Sequence, residues 1–279
     1  MKRNPFRKLT SYRGFFKGSI LNVFAFRLEI YGWIAQQICA LILMVFLWFA
    51  IYSSTGNVTT SINGMTYYQM IYYQAMVIVT TQWTNQSASF DILTDDIREG
   101  NVSISLTKPV SYRGRCLSCT LGREVANFVL FALPMFIVIS LIFTFGLGME
   151  FPSIWNLLMY LVAGILAIIL FDSFDFLLGQ FGFVTNSLFG IYIIKNTLIM
   201  FLSGGMIPFS FFPESIQPLL NYLPFSGIAS TPINIYLGNY SYSESLIKLA
   251  ISLSWTVGLY VLTVLVNRRM IRHVEVAGG

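Results

Sequence analysis

Three charged side chains sit inside long apolar runs: Asp172 and Asp175 in one run, Lys195 in the next. A charge surrounded by hydrocarbon is costly, so such residues pair with one another, line a water-filled path or relay protons. The turn between the two runs centres near residues 183 and 184, which leaves Asp172 and Lys195 equidistant from it. An antiparallel hairpin would bring these two to one depth, so the spacing predicts an Asp172–Lys195 ion pair. A structural pair that fixes helix register is the plainer role, because breaking a buried pair costs far more than the intact pair adds. Substrate contact and proton relay are the alternatives.

The remaining chemistry-bearing residues are sparse. Cys39 lies inside an apolar run, Cys116 and Cys119 form a single C-x-x-C, and His273 is the only histidine. A structural zinc needs about four ligands, and an odd, scattered cysteine count does not make a disulfide framework, so no metal site is expected. There is no G-x-x-x-x-G-K-[ST], no H-E-x-x-H and no G-x-S-x-G. The chain therefore has no phosphate-cradling loop, zinc-hydrolase helix or nucleophile elbow. An intramembrane enzyme would lack its nucleophile and base. Any work driven by ATP would need ATP and Mg held by another polypeptide.

What must position these residues is a membrane protein. Of 279 residues, 56% are hydrophobic and 10% charged, against about a quarter charged in a soluble domain. A spanning helix needs roughly 20 apolar residues, and six runs qualify: about Trp33 to Tyr52, Thr66 to Trp83, Val125 to Leu147, Ile154 to Leu178, Leu188 to Ile207 and Leu246 to Val266. The first starts too late for a cleaved signal peptide and is followed by further spans. Seven of the seventeen Lys and Arg residues fall in the first 27 positions. Others cluster in 84–124 and in the tail 267–279, while 53–65, 148–153 and 208–245 hold none. The positive-inside rule then places both termini and residues 84–124 in the cytoplasm. No groove-reading module accompanies the basic arm, so no nucleic-acid partner is expected.

Residues 84–124 form the one sizeable cytoplasmic connection. Phe90, Leu93 and Ile97 share one helical face, with Asp91, Asp95, Arg98 and Glu99 around the rest and Gly100 as a natural stop. Val102, Ile104 and Leu106 then alternate with polar residues, which predicts an extended piece. Pro109 is suited to opening the next helix. This is either a solvated loop on the membrane surface or a docking element for a cytoplasmic partner. The N-terminal arm, 1–32, interleaves aromatics with cations and suits a helix lying in the lipid interface. In 204–240, Pro208, Pro213, Pro218 and Pro224 exclude a straight spanning helix. An outer re-entrant hairpin or an apolar loop capping the bundle fits that density.

Two blocks carry a family resemblance. "DIREGNVSISLTKPVSYR", 96–113, and "FLSGGMIPFSFFPESIQPLLNYLPFSGIASTPINIYLG", 201–238, resemble ABC-2 type transporter permeases, in the right order and on the matching sides. With the arm, spans and tail, the resemblance covers nearly the whole chain. It implies a single all-α membrane domain: six transmembrane helices, an N-terminal amphipathic interfacial helix, a cytoplasmic coupling segment and an outer re-entrant helical hairpin. It implies the permease subunit of an exporter in the bacterial plasma membrane, with no cofactor of its own. A second permease half, identical or paralogous, would pair with it in the lipid. Two copies of an ABC ATPase, carrying ATP and Mg, would bind below. Asp95, Asp96, Ile97, Arg98, Glu99, Gly100, Lys108 and Pro109 would form the coupling element.

The second run is the most polar, with Gln69, Tyr72 and Tyr73 on one broad face. In the resembled family, spans two and five flank the route between halves, so Gln69, Tyr72 and Tyr73, with Asn196 and Ser203 on span five, are the expected translocation path. Interhelical glue is the competing role. The tyrosines point to an amphipathic cargo. An ion-coupled transporter working alone is the alternative function, resting on Asp172, Asp175 and Lys195, with no inverted repeat to support it.

Overall fold

The computed structural model describes residues 5–25, 27–54, 61–108, 110–183 and 188–271. Among them every named element is helical, and the single β contact is an isolated bridge between Ile62 and Met65.

In chain order the helices are α1 (Pro5–Ala25), α2 (Arg27–Ser54), α3 (Tyr67–Thr84), α4 (Ser89–Arg98), α5 (Val102–Thr107), α6 (Tyr112–Asn127), α7 (Leu133–Leu141), α8 (Ile154–Gly179), α9 (Leu188–Leu202), α10 (Gln217–Tyr222), α11 (Ser230–Tyr236) and α12 (Tyr242–Ile271). Side-chain caps set several starts. Thr66 and Gln69 form a reciprocal capping box on α3, Ser111 caps α6 through the Gly114 N–H, and Ser153 caps α8 through the Asn156 N–H.

Among the described residues four helical runs are long and apolar enough to cross a membrane: Gly32–Ser54, Tyr112–Gly146, Ile154–Phe183 and Tyr242–Arg269. The other two expected spans form helices of a different kind. Thirteen residues of α3 are buried, so this polar helix threads the interior, enclosed by α2, α7, α8 and α11. Helix α9 has 15 residues, about 22 Å at 1.5 Å per residue, and stops at Leu202, short of the expected Ile207. Outside the interior, only 6% of the most apolar stretch of α2 is buried, as a lipid-facing helix should be.

The third run is longer than expected. Tyr112–Gly146 is one 35-residue helical rod, about 50 Å long, against a hydrocarbon core of about 30 Å. Its lower part, α6, therefore belongs to the segment read from sequence as cytoplasmic. Wide π-type turns at Phe128–Ala132 and Ile142–Gly146 interrupt it. Pro134, which lacks an N–H, follows the first of them.

The arm packs against α6. Ser19 Oγ donates to the Cys119 carbonyl at 2.7 Å, and the Tyr12 hydroxyl accepts from the Ser111 N–H at 3.1 Å. The approach needs glycine at 122: a Cβ there would stand 2.3 Å from the Phe16 carbonyl oxygen.

One local expectation fails. Residues 102–107 are helical, not extended. Val102 and Ser105 are buried, while Ile104 is 61% exposed; a strand would have put Val102 and Ile104 on the same face. A strand must borrow its hydrogen bonds from a neighbour, and none of the described segments offers one, whereas a helix satisfies its own. Helix α6 opens at Tyr112 under the Ser111 cap, so its first turn lies beyond Pro109, which itself is outside the described residues.

The proline-rich block, 204–240, is a series of short pieces: 3-10 turns at Phe209–Phe211 and Pro224–Gly227, and helices α10 and α11. It packs on α3 and α8. The Tyr73 hydroxyl donates to the Gly204 carbonyl at 2.9 Å, and Gln74 Nε2 to the Met206 carbonyl at 3.0 Å.

Candidate coupling site

Asp172, fully buried on α8, is the centre of a polar cluster at the C-terminal ends of α3 and α8. Its Oδ1 accepts from Ser87 Oγ at 2.9 Å, Ser89 Oγ at 2.5 Å and Thr120 Oγ1 at 2.6 Å. Its Oδ2 accepts from Arg113 at 2.5 Å. Arg113 also donates to Thr263 on α12 at 3.1 Å and to Ser173 at 3.3 Å. Its guanidinium lies 4.7 Å from the Phe176 ring centre and 5.2 Å from that of Tyr260. One carboxylate thus ties the entry of α4 to α6, α8 and α12. The Ala88 N–H donates to Thr120 Oγ1 at 3.0 Å, so the backbone entering α4 is held as well.

The expected Asp172–Lys195 pair is not formed. Lys195 pairs with Asp175 at 2.6 Å, both nearly fully buried. Counting outward from a symmetric turn missed the register by one helical turn, and it could not see that Arg113, far away in sequence, claims Asp172. The Lys195 ammonium also faces the rings of Phe90, Phe171 and Tyr192 at 4.9 to 5.2 Å. Because Phe90 belongs to α4, this second pair links α9 to α4 through a cation–π contact.

Helix α4 has two distinct faces. Phe90 and Leu93 are buried inward, with Ile97 partly covered beside them. Asp95, Arg98 and Glu99 face outward. The helix ends as the sequence implied: Gly100 has φ +71°, its N–H donates to the Ile97 carbonyl, and the Asn101 N–H to that of Asp96, the bond pattern of a Schellman stop. Asp96 turns inward as a tie, accepting from Arg115 at 2.5 Å and from the Tyr112 hydroxyl at 2.8 Å. Lys108 is half-buried. Partial burial, then repulsion from Asp91 and Glu99, pushes the Asp95 carboxyl above its ordinary value. The C-x-x-C cysteines are free thiols on α6, Cys116 buried and Cys119 half-buried.

Sequence reasoning missed Ser87, Ser89, Arg113 and Thr120 as partners of Asp172. Arg113 closes the first resembling block, but its role depends on a contact across 59 residues.

The expected path residues separate. Gln69 and Tyr72 line a cavity of about 890 Å³ at the N-terminal ends of α3 and α8, opposite the Asp172 cluster. Tyr73 is fully buried, and its hydroxyl is engaged by the Gly204 carbonyl. Ser203 is buried, its Oγ accepting from the Gly205 N–H at 3.3 Å. Asn196 is half-buried on α9. Neither Ser203 nor Asn196 reaches this cavity.

A polar interior helix, long apolar helices around it and a charged helix pinned at their ends suit a helical protein embedded in a membrane. The sequence model of the ABC-2 family transporter protein family matches residues 38–278, and the chain belongs to that family. Comparison with curated proteins gives no match. The protein is thus a permease component of an ABC transporter, embedded in the membrane.

Proposed function

We propose that this chain is the permease half of an ATP-driven exporter in the bacterial plasma membrane. It crosses six times, with α3 and α9 completing the four long apolar runs and with both termini cytoplasmic. It pairs with a second half, identical or paralogous, above two copies of a separate ABC ATPase that carry ATP and Mg. The block 204–240 forms a re-entrant hairpin on the outer side, and the cargo, of amphipathic character, leaves between the halves.

One observation carries this reading. Helix α4 shows an exposed charged face, Asp95, Arg98 and Glu99, while its first turn hangs on Asp172. A push on that face by a partner is delivered through one buried carboxylate to α6, α8 and α12 together. The lack of Lys and Arg in 208–245, set against their abundance in 84–124, supports the orientation.

The test joins two measurements. Purification of the tagged chain from native membrane should bring an ABC ATPase and a second permease half with it. A Glu99→Cys variant with Cys39→Ser and Cys119→Ser should react with a membrane-impermeant maleimide only from the cytoplasmic side. Labelling from outside the cell would overturn the orientation, the coupling role and the exporter together.

A further inference from the structure

The cavity opposite the Asp172 cluster has an unusual lining. Six side-chain amides surround it: Gln69, Asn156, Gln217, Asn221, Asn234 and Asn239. No Lys, Arg or His is among the lining residues, and the single carboxylate, Glu150, is exposed. The nearby Lys248 is engaged, donating to Asn221 Oδ1 at 3.1 Å and lying over the Tyr222 and Tyr240 rings.

Several amides are held by one end. Asn234 Nδ2 donates to the Ser230 carbonyl at 2.8 Å, Asn239 Nδ2 to Asn234 Oδ1 at 2.8 Å, and Gln217 Nε2 to the Phe212 carbonyl at 2.8 Å. Gln69 Oε1 is fixed by the Thr66 N–H at 2.9 Å. These bonds orient each group while leaving the Oδ1 of Asn239, the Oε1 of Gln217 and the Nε2 of Gln69 to meet a ligand. The Asn156 amide makes no side-chain hydrogen bond among the described residues.

A fixed array of donors and acceptors without charge selects its ligand by chemistry. An anion would meet Glu150 and no cation. A wholly apolar ligand would leave the amides unpaired. A hydroxyl both donates and accepts, and so does an amide, so a ring carrying several hydroxyls can pair with many of these groups at once. Tyr240, half-buried in the same lining, offers an apolar face for the C–H side of such a ring. The volume lies within the roughly 300–1,000 Å³ of small-molecule sites.

We propose that this cavity binds a neutral, hydroxyl-rich ring of the sugar type, supplied either as a free glycan or as a lipid headgroup. That this ring belongs to the exported cargo rests on the permease reading above; the binding itself does not.

The test uses the full chain purified in a detergent without a sugar headgroup and examined by native mass spectrometry. Maltose probes the free source and glucosyl diacylglycerol the lipid source, with phosphatidylglycerol and alanyl-alanine as the charged and peptide comparisons. Adducts with either sugar probe are expected, and whichever dominates names the source. Asn156→Leu and, independently, Asn239→Leu should each reduce the adduct by about fivefold, the loss of one net hydrogen bond, while Glu150→Gln keeps it. The proposal is overturned if neither sugar binds at millimolar concentration, if the dipeptide or phosphatidylglycerol binds in preference, or if both Leu variants bind as the wild type does. An ATPase missing from the pull-down would sink the exporter reading and leave this result standing.

Discussion

The two ends of α3 and α8 solve the problem of buried polarity in opposite ways. At their C-terminal ends, two ion pairs and a ring of hydroxyls lock α4 to four other helices through Asp172 and Lys195. At their N-terminal ends, amides and tyrosines surround open space, and none of the ion pairs found among the described residues reaches it. A buried ion pair tolerates little change of geometry, because losing one partner strands a charge. Amides exchange partners at small cost. The first end therefore suits delivery of a movement, and the second suits accommodation of a ligand.

The difference can be broken most forcefully at Asp172. Asp172→Ala strands Arg113 and should cost about 3–5 kcal/mol, seen as a large drop in the thermal midpoint of the detergent-solubilised chain. The double change Asp172→Leu with Arg113→Met should recover most of that loss. If the double variant also unlinks ATP hydrolysis from transport while remaining folded, the cluster transmits motion and does more than hold the fold. Lys195→Met should cost about 3 kcal/mol, the lower part of the same range, because Lys195 engages one carboxylate and aromatic rings while Asp172 gathers four donors. Gly122→Leu, which forces a side chain into the Phe16 carbonyl, should cost about 1–3 kcal/mol as an overpacking change and expose the arm to protease. At the opposite end Asn156→Leu should change stability by less than about 0.5 kcal/mol, a contrast that the same melting assay reads directly.

A small effect of the opposite sign concerns Asp95. Its carboxyl titrates above the ordinary value in the folded chain. The folded state therefore holds that proton more tightly than the unfolded state does. Its contribution to stability is present in acid and is lost as pH rises through the folded value. Asp95→Asn should flatten this dependence and stabilise α4 near neutral pH by about 0.2–0.5 kcal/mol for each like-charge contact one turn away. Hydrogen exchange of the α4 amides measured across pH would show it.

What the sequence disclosed follows how locally each feature is determined. The face of Phe90, Leu93 and Ile97 and the Gly100 stop were legible because helical periodicity and a left-handed backbone are set within one or two turns. The 102–107 segment was misread because its alternation fits two structures, and only the lack of a neighbouring strand decides between them. The partner of Lys195 was misplaced because register across a turn depends on packing, and Arg113 lies in another helix altogether. Gln69 and Tyr72 announced themselves as polar residues in an apolar run. The amides that join them come from three separate stretches, which only the folded chain gathers.

The two wide turns in the Tyr112–Gly146 rod have a consequence for its surface pattern. Each π-type turn carries one more residue than the regular helix would use. In a regular helix Ile139, 19 residues beyond Thr120, would lie about 100° off its stripe, one residue's share of a 3.6-residue turn. The wide turn at Phe128–Ala132 takes up that residue, so the buried side chains below and above share a side of the rod. Deleting a single residue between 128 and 132 should therefore remove the wide turn and leave Ile139 and Phe143 facing α3, whereas straightening the turn with every residue kept would swing them away.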